Sequence, residues 1–103
     1  MGSEMKAWQL IEKPENWCKG ANARNATGEA TKPRNPDACS WCPVGAILMI
    51  YGYEDSENSA AFDRLRKAAC TIPRNFLWDI TEWNDHPERA HTEILAAMKA
   101  ADV

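Results

Sequence analysis

The chain has no long apolar run, no excess of positive charge and no regular alternation of strand and helix signals, and each absence removes a class of protein. Its longest apolar stretch, Val44 to Tyr51, falls well short of the roughly 20 apolar residues that a membrane-spanning helix requires. No N-terminal segment joins a basic stretch to a long apolar one, so no secretory leader is expected and the cytoplasm is the expected address. With a formal net charge of −3 the chain presents no overall basic field to phosphates, and nucleic acid is not an expected partner. Two local basic clusters exist, Lys19, Arg24, Lys32 and Arg34 in one loop and Arg64, Arg66 and Lys67 on one helix, but both have acidic neighbours and read as solvated faces. There is no internal repeat and no composition shift that would mark a linker. A chain of 103 residues therefore reads as one domain, residues 1–103, with one hydrophobic core.

What is present supports folding. Apolar residues make up 45% and charged residues 26%, which leaves enough apolar surface to offset the entropy of ordering the chain. The compositional oddity is five tryptophans, large side chains that anchor packing in a domain this small. Four cysteines, Cys18, Cys39, Cys42 and Cys70, are expected as reduced thiols in a cytoplasmic setting.

Helical spacing dominates the pattern. Ser3 can cap a helix over about residues 4–13, with Met5, Trp8 and Ile11 on one face and Pro14 ending it. The polar stretch from Ala21 to Asp37 is long for a structureless connection, so it either carries a short hairpin about Thr27-Gly28 or lies ordered across the surface. The central helix is predicted to start near Ser40 as cap, which keeps Pro43 in the first turn, and to stop at Gly52. It is apolar nearly all round, so other elements are expected to pack about it. Gly45 in its interior costs roughly 1 kcal/mol relative to alanine and points to the close approach of another backbone. A third helix is expected from Asp55 or Ser56 to about Cys70, with an Asp63/Lys67 pair on its surface, and a short fourth from Pro73 to about Glu82. Asn84-Asp85-His86-Pro87 reads as a turn into a last helix capped by Asp85 with Glu88, or by Thr92, and burying Ile94, Leu95, Met98 and Ala101.

Two arrangements bear on chemistry. Cys39-Ser-Trp-Cys42 is a C-x-x-C pair with Cys42 in the first helical turn, where the helix dipole can lower a thiol pKa. As a redox pair it lacks the preceding strand of thioredoxin-like folds. As half of a zinc site it would need His86 and His91 at a distance unlike that of small zinc fingers, and no metal or other cofactor is expected. As a nucleophile Cys42 would need His91 as base and Asp85 or Asn84 as orienting group. The competing reading is two thiols buried beside the core. Trp83-Asn84-Asp85 can be a ligand platform with polar contacts, or a tryptophan closing the core followed by a turn and cap.

The order and spacing of Trp17-x-x-Gly20-Ala21-x-Ala23-Arg24, Trp41-Cys42-x-x-Gly45-Ala46-Ile47, and Trp83-Asn84-Asp85 followed by Thr92-x-Ile94-Leu95 and Ala100 resembles a family of small uncharacterised proteins of bacteria and their phages. The resemblance covers nearly the whole chain. It implies a compact, largely helical domain and brings no known activity, and it implies that Trp41, Cys42, Asn84 and Asp85 lie together. The family's Gly-Arg-Thr-like turn before the last helix is replaced here by Glu88-Arg89-Ala90-His91-Thr92, so the resemblance lends His91 no catalytic role.

The resulting expectation is a mostly α, all-helical domain of four or five helices around a central one, acting as a non-catalytic accessory or interaction protein. Its partner would be a protein or small molecule, met through Trp41, Trp83, Asn84 and Asp85. The alternative is a cysteine-dependent, hydrolase-like enzyme using Cys42, His91 and Asp85.

Overall fold

The structure is a computed structural model, and residues 5–52, 55–69 and 79–103 are described. Five helices are present among them: α1 (Ala7–Leu10), α2 (Pro43–Tyr51), α3 (Asp55–Ala69), α4 (Asp79–Asp85) and α5 (His91–Ala101), with a 3-10 turn at Pro14–Asn16. Between α1 and α2 the chain forms three short strands, β1 (Ala23–Asn25), β2 (Ala30–Thr31) and β3 (Ala38–Trp41). They make one antiparallel sheet in the order β2-β1-β3. The expectation of an all-helical domain is therefore wrong, and the fold is α+β.

Apart from the hairpin that the sequence offers about Thr27-Gly28, the strands go unmarked, because none carries the period or composition that identifies one. Ala23-Arg24-Asn25 has no β-branched residue, and Ala38-Cys39-Ser40-Trp41 precedes a proline that suits the start of a helix. Pairing over long sequence separation holds them instead, with Ala23 opposite Trp41 and Arg24 opposite Ser40. The hairpin joining β1 to β2 does lie at Thr27-Gly28. Its anchor is the Asn25 side chain, whose Oδ1 accepts from the Thr27 amide (3.1 Å), the Thr27 hydroxyl (2.8 Å) and the Glu29 amide (2.9 Å).

Helix boundaries differ from expectation for identifiable reasons. The first helix is one short turn of residues, not 4–13. Lys13 precedes Pro14 and is held extended (φ −84°, ψ 136°), as the proline ring requires, and Ser3 lies outside the described residues. The central helix begins at Pro43, with Cys42 and not Ser40 as its cap, because Ser40 is committed to β3. It does end at Gly52 (φ 97°). Asn84 and Asp85, expected in a turn, close α4. The last helix starts after Ala90, whose amide donates to the Glu93 carboxylate at 2.9 Å, so neither Asp85 nor Thr92 caps it. On α3 Asp63 pairs with Arg66 at 3.0 Å. The expected fourth helix falls mostly outside the described residues.

α2 packs against α1, α3, α4 and β3, which gives it the central place its apolar sequence called for. The core joins Ile11, Ile47, Leu65, Ile80, Ile94 and Met98, all fully or almost fully buried, each contributing roughly 1.5–3 kcal/mol through the water it sheds. Val103 is also buried, and its carbonyl accepts from the Ala7 amide, tying the end of α5 to the start of α1. Arg64 on α3 secures the same corner by donating to the Ala101 and Asp102 carbonyls at 2.9 and 3.2 Å, two of the acceptors a helix end leaves open.

Candidate functional site

The residues singled out by sequence divide between a closed polar junction and an open groove. The junction forms where the segment after the 3-10 turn, residues 17–22, is trapped between the end of α4 and the start of α2. At its centre is Asn84, 0% exposed. Its Oδ1 accepts from the Trp17 indole at 2.7 Å, and its Nδ2 donates to the Cys18 carbonyl and to Asp85 Oδ1, each at 3.1 Å. Asp85 Oδ1 also accepts from the Gly20 amide at 3.0 Å, and Lys19 Nζ donates to the His86 carbonyl at 2.7 Å. Arg24 closes the segment from outside, donating to the Lys19 and Gly28 carbonyls.

On the α2 side, the Asn22 carbonyl accepts from the Cys42 amide at 3.2 Å. Cys42 Sγ accepts from the Gly45 amide at 3.4 Å, and its thiol donates to Asn22 Oδ1 at 3.8 Å. The close approach read from Gly45 is real, since a Cβ there would lie 1.9 Å from the Asn22 carbonyl oxygen. Glycine admits the Asn22 backbone, and that backbone then holds the helix start. Among the described residues, no buried side-chain nitrogen or oxygen lacks a hydrogen-bond partner.

These surroundings fix the state of the thiols. Cys42 is 1% exposed, and burial pushes its thiol up to about 12, outweighing the amide contact at the helix start. Cys18 is raised as well, again by burial, with Ser40 and Arg24 offsetting part of it. The dipole argument for an activated Cys42 therefore meets a larger desolvation cost. Cys39 is exposed on β3.

The proposed catalytic set is only partly assembled. Asp85 is near enough to Cys42 to act on it electrostatically, but no hydrogen bond joins Cys42 to either Asp85 or His91. The ring of His91 is engaged elsewhere. Its Nε2 lies 2.7 Å from the Ile11 carbonyl, an acceptor only, so that nitrogen donates. Its ring lies 5.4 Å from that of Trp17 between centroids, tilted by 47°. Among the described residues, no group of three or more His, Cys, Asp or Glu side chains is placed to hold a metal ion.

Of the proposed binding residues, Asn84 and Asp85 belong to the junction, and Trp41 donates its indole N–H to the Pro33 carbonyl at 2.9 Å. Trp83 faces a different feature, a groove of about 410 Å³ lined by Ala68, Ala69, Ala96, Ala97 and Ala100, with Arg89 and Glu93 at its side. The Arg89 guanidinium lies 5.5 Å from the Trp83 ring centre and Nε donates to the Trp83 carbonyl at 3.0 Å. The alanines come from α3 and α5, where small side chains keep the groove from filling.

Sequence reasoning gave Trp17, Cys18 and Asn22 no place in the site. Trp17 stood in the resemblance motif with Gly20, the one signal of its importance, but its partner Asn84 is remote in sequence. No curated protein and no solved structure matches the chain. Residues 5–102 match the model of a family described as a family of unknown function, DUF6197, and the chain belongs to that family.

Proposed function

We propose that this chain is a non-catalytic accessory or interaction domain, of bacterial or phage origin and cytoplasmic, that engages a protein partner at the groove beside Trp83. The observation that carries the reading is the contrast between the two features. Asn84 and Asp85 direct their hydrogen bonds to other parts of the same chain, as does the thiol of Cys42. The groove instead offers apolar surface of a size that small-residue helix faces use for close packing. No helix among the described residues is long and apolar enough to cross a membrane, which fits this reading. A nucleophile within hydrogen-bond reach of its base, which the Cys42, His91 and Asp85 enzyme would use, is not among the contacts made.

Two measurements test the proposal. A photo-crosslinking residue at exposed Ala96 should give a discrete protein adduct in the native cells, and the Ala96→Arg change should prevent binding of that partner. Timed alkylation at neutral pH should label Cys39 before Cys42. Rapid, selective labelling of Cys42 would overturn the non-catalytic assignment in favour of the enzyme. Adducts of small-molecule mass alone at Ala96 would replace the protein partner with a small apolar ligand.

A further inference from the structure

The junction brings near one another two thiols that share no sequence motif, close enough for Cys18 to act electrostatically on Cys42. Trp17 and Trp41 form an isolated parallel bridge, and the Cys18 amide donates to the Trp41 carbonyl at 3.1 Å. One residue beyond each tryptophan come Cys18 and Cys42, with Cys42 still in extended backbone (φ −85°, ψ 172°). Laterally paired residues of neighbouring extended segments sit about 4.8 Å apart and point to the same face. That spacing falls inside the roughly 4.4–6.8 Å between α-carbons that a disulfide spans. Two contacts agree with a shared face. The Cys18 thiol meets the Ala21 carbonyl at 3.6 Å and the Cys42 thiol meets Asn22 Oδ1 at 3.8 Å, on consecutive residues.

We propose that Cys18 and Cys42 are a modification site, a thiol pair that hydrogen peroxide converts into a disulfide. The Cys18 thiolate displaces one oxygen of the peroxide as hydroxide and becomes a sulfenic acid. The Cys42 sulfur then attacks the Cys18 sulfur, expels the second oxygen as water, and completes the S–S bond. Two thiols lose two electrons and two protons, and one peroxide becomes two waters. Cys18 is the entry point because it is the more exposed, at 8% against 1%. Cys42 acts only as the resolving thiol, a role that asks for adjacency and not for access from solvent.

The product would be a covalent staple between the segment after the 3-10 turn and the start of α2, two places now joined through the hydrogen bonds and packing of Asn22. It closes a loop containing the whole sheet and so restricts the unfolded chain. Oxidation thus sets how firmly the sheet is held to the helices.

The experiment uses the full chain with Cys39→Ser and Cys70→Ser, which leaves the pair as the only route to an intramolecular disulfide. After treatment with hydrogen peroxide and blocking of free thiols, peptide mass spectrometry without reductant should find Cys18 and Cys42 linked, two hydrogens lighter than the separate peptides. The thermal midpoint should rise and return to its starting value with dithiothreitol. Full alkylation of both cysteines after denaturation, or oxidation of one to sulfinic acid with no linked peptide, overturns the proposal. The wild-type chain run alongside should link the same two cysteines; links confined to Cys39 or Cys70 would also overturn it.

Discussion

Substituting Gly45 by alanine sets two calculable effects against one another. In an isolated helix the change is favourable by roughly 1 kcal/mol, because glycine surrenders more backbone freedom. Here the new methyl would lie 1.9 Å from the Asn22 carbonyl oxygen and 2.8 Å from its carbon, against the 3.3–3.6 Å at which a carbon and a carbonyl oxygen normally rest. Either α2 or the 17–22 segment must retreat by more than about 1 Å. Forcing a methyl into such a site costs about 1–3 kcal/mol. The retreat also weakens the hydrogen bond from the Cys42 amide to that same oxygen, about 1 kcal/mol more. The repulsive side wins, and Gly45→Ala should destabilise the domain by about 2 kcal/mol. For a chain of this length that lowers the thermal midpoint by about 10 °C. Thermal unfolding followed by circular dichroism at 222 nm measures it. A variant as stable as wild type, or more so, would mean that the helix does not receive the Asn22 backbone at this glycine, and the account of the junction would fail with it.

Asn84→Ala should cost about 2–4 kcal/mol, because it leaves the Trp17 indole N–H and the Cys18 carbonyl without their buried partner. Urea titrations of Asn84→Ala, Trp17→Phe and the double variant would show it as a coupling of the two sites, and strict additivity would refute the contact. A third prediction concerns pH. A thiol whose pKa is raised on folding contributes stability that is complete below its unfolded value, here 9.0, and is lost as pH rises toward the folded value of about 12 for Cys42. Between pH 8 and 10 the unfolded chain releases this proton while the folded chain keeps it, so stability should fall by about 1 kcal/mol from this group. Replacing Cys42 with alanine should remove that part of the alkaline loss, and equal losses in the two proteins would place the thiol in water.

The sequence by itself determined the core helix and its end at Gly52, though not the residue that caps its start. An apolar run between a proline at its start and a glycine at its end has one economical local solution, and Val44 to Tyr51 adopts it. Gly45 announced a close backbone contact for the same local reason, that an interior glycine in a helix carries a cost. What the sequence could not show was which backbone arrives there, since Asn22 reaches α2 only after the chain has turned at Gly20 and paired as a sheet. The strands themselves are two to four residues long, too short for a period to be read, and they exist because Ala23, Arg24 and Asn25 pair with β3 on the side away from the hairpin. The candidate residues were legible as types but not in their roles. Trp83, Asn84 and Asp85 are consecutive, yet Asn84 turns inward to Trp17 while Trp83 lines the groove. The first turn of α2 looked electrostatically suited to a reactive thiol, and only packing decided that Cys42 would be covered. Helix dipoles and turn preferences act over a few residues and can be read along the chain. Desolvation depends on everything that folds over an atom, so it belongs to the tertiary structure alone.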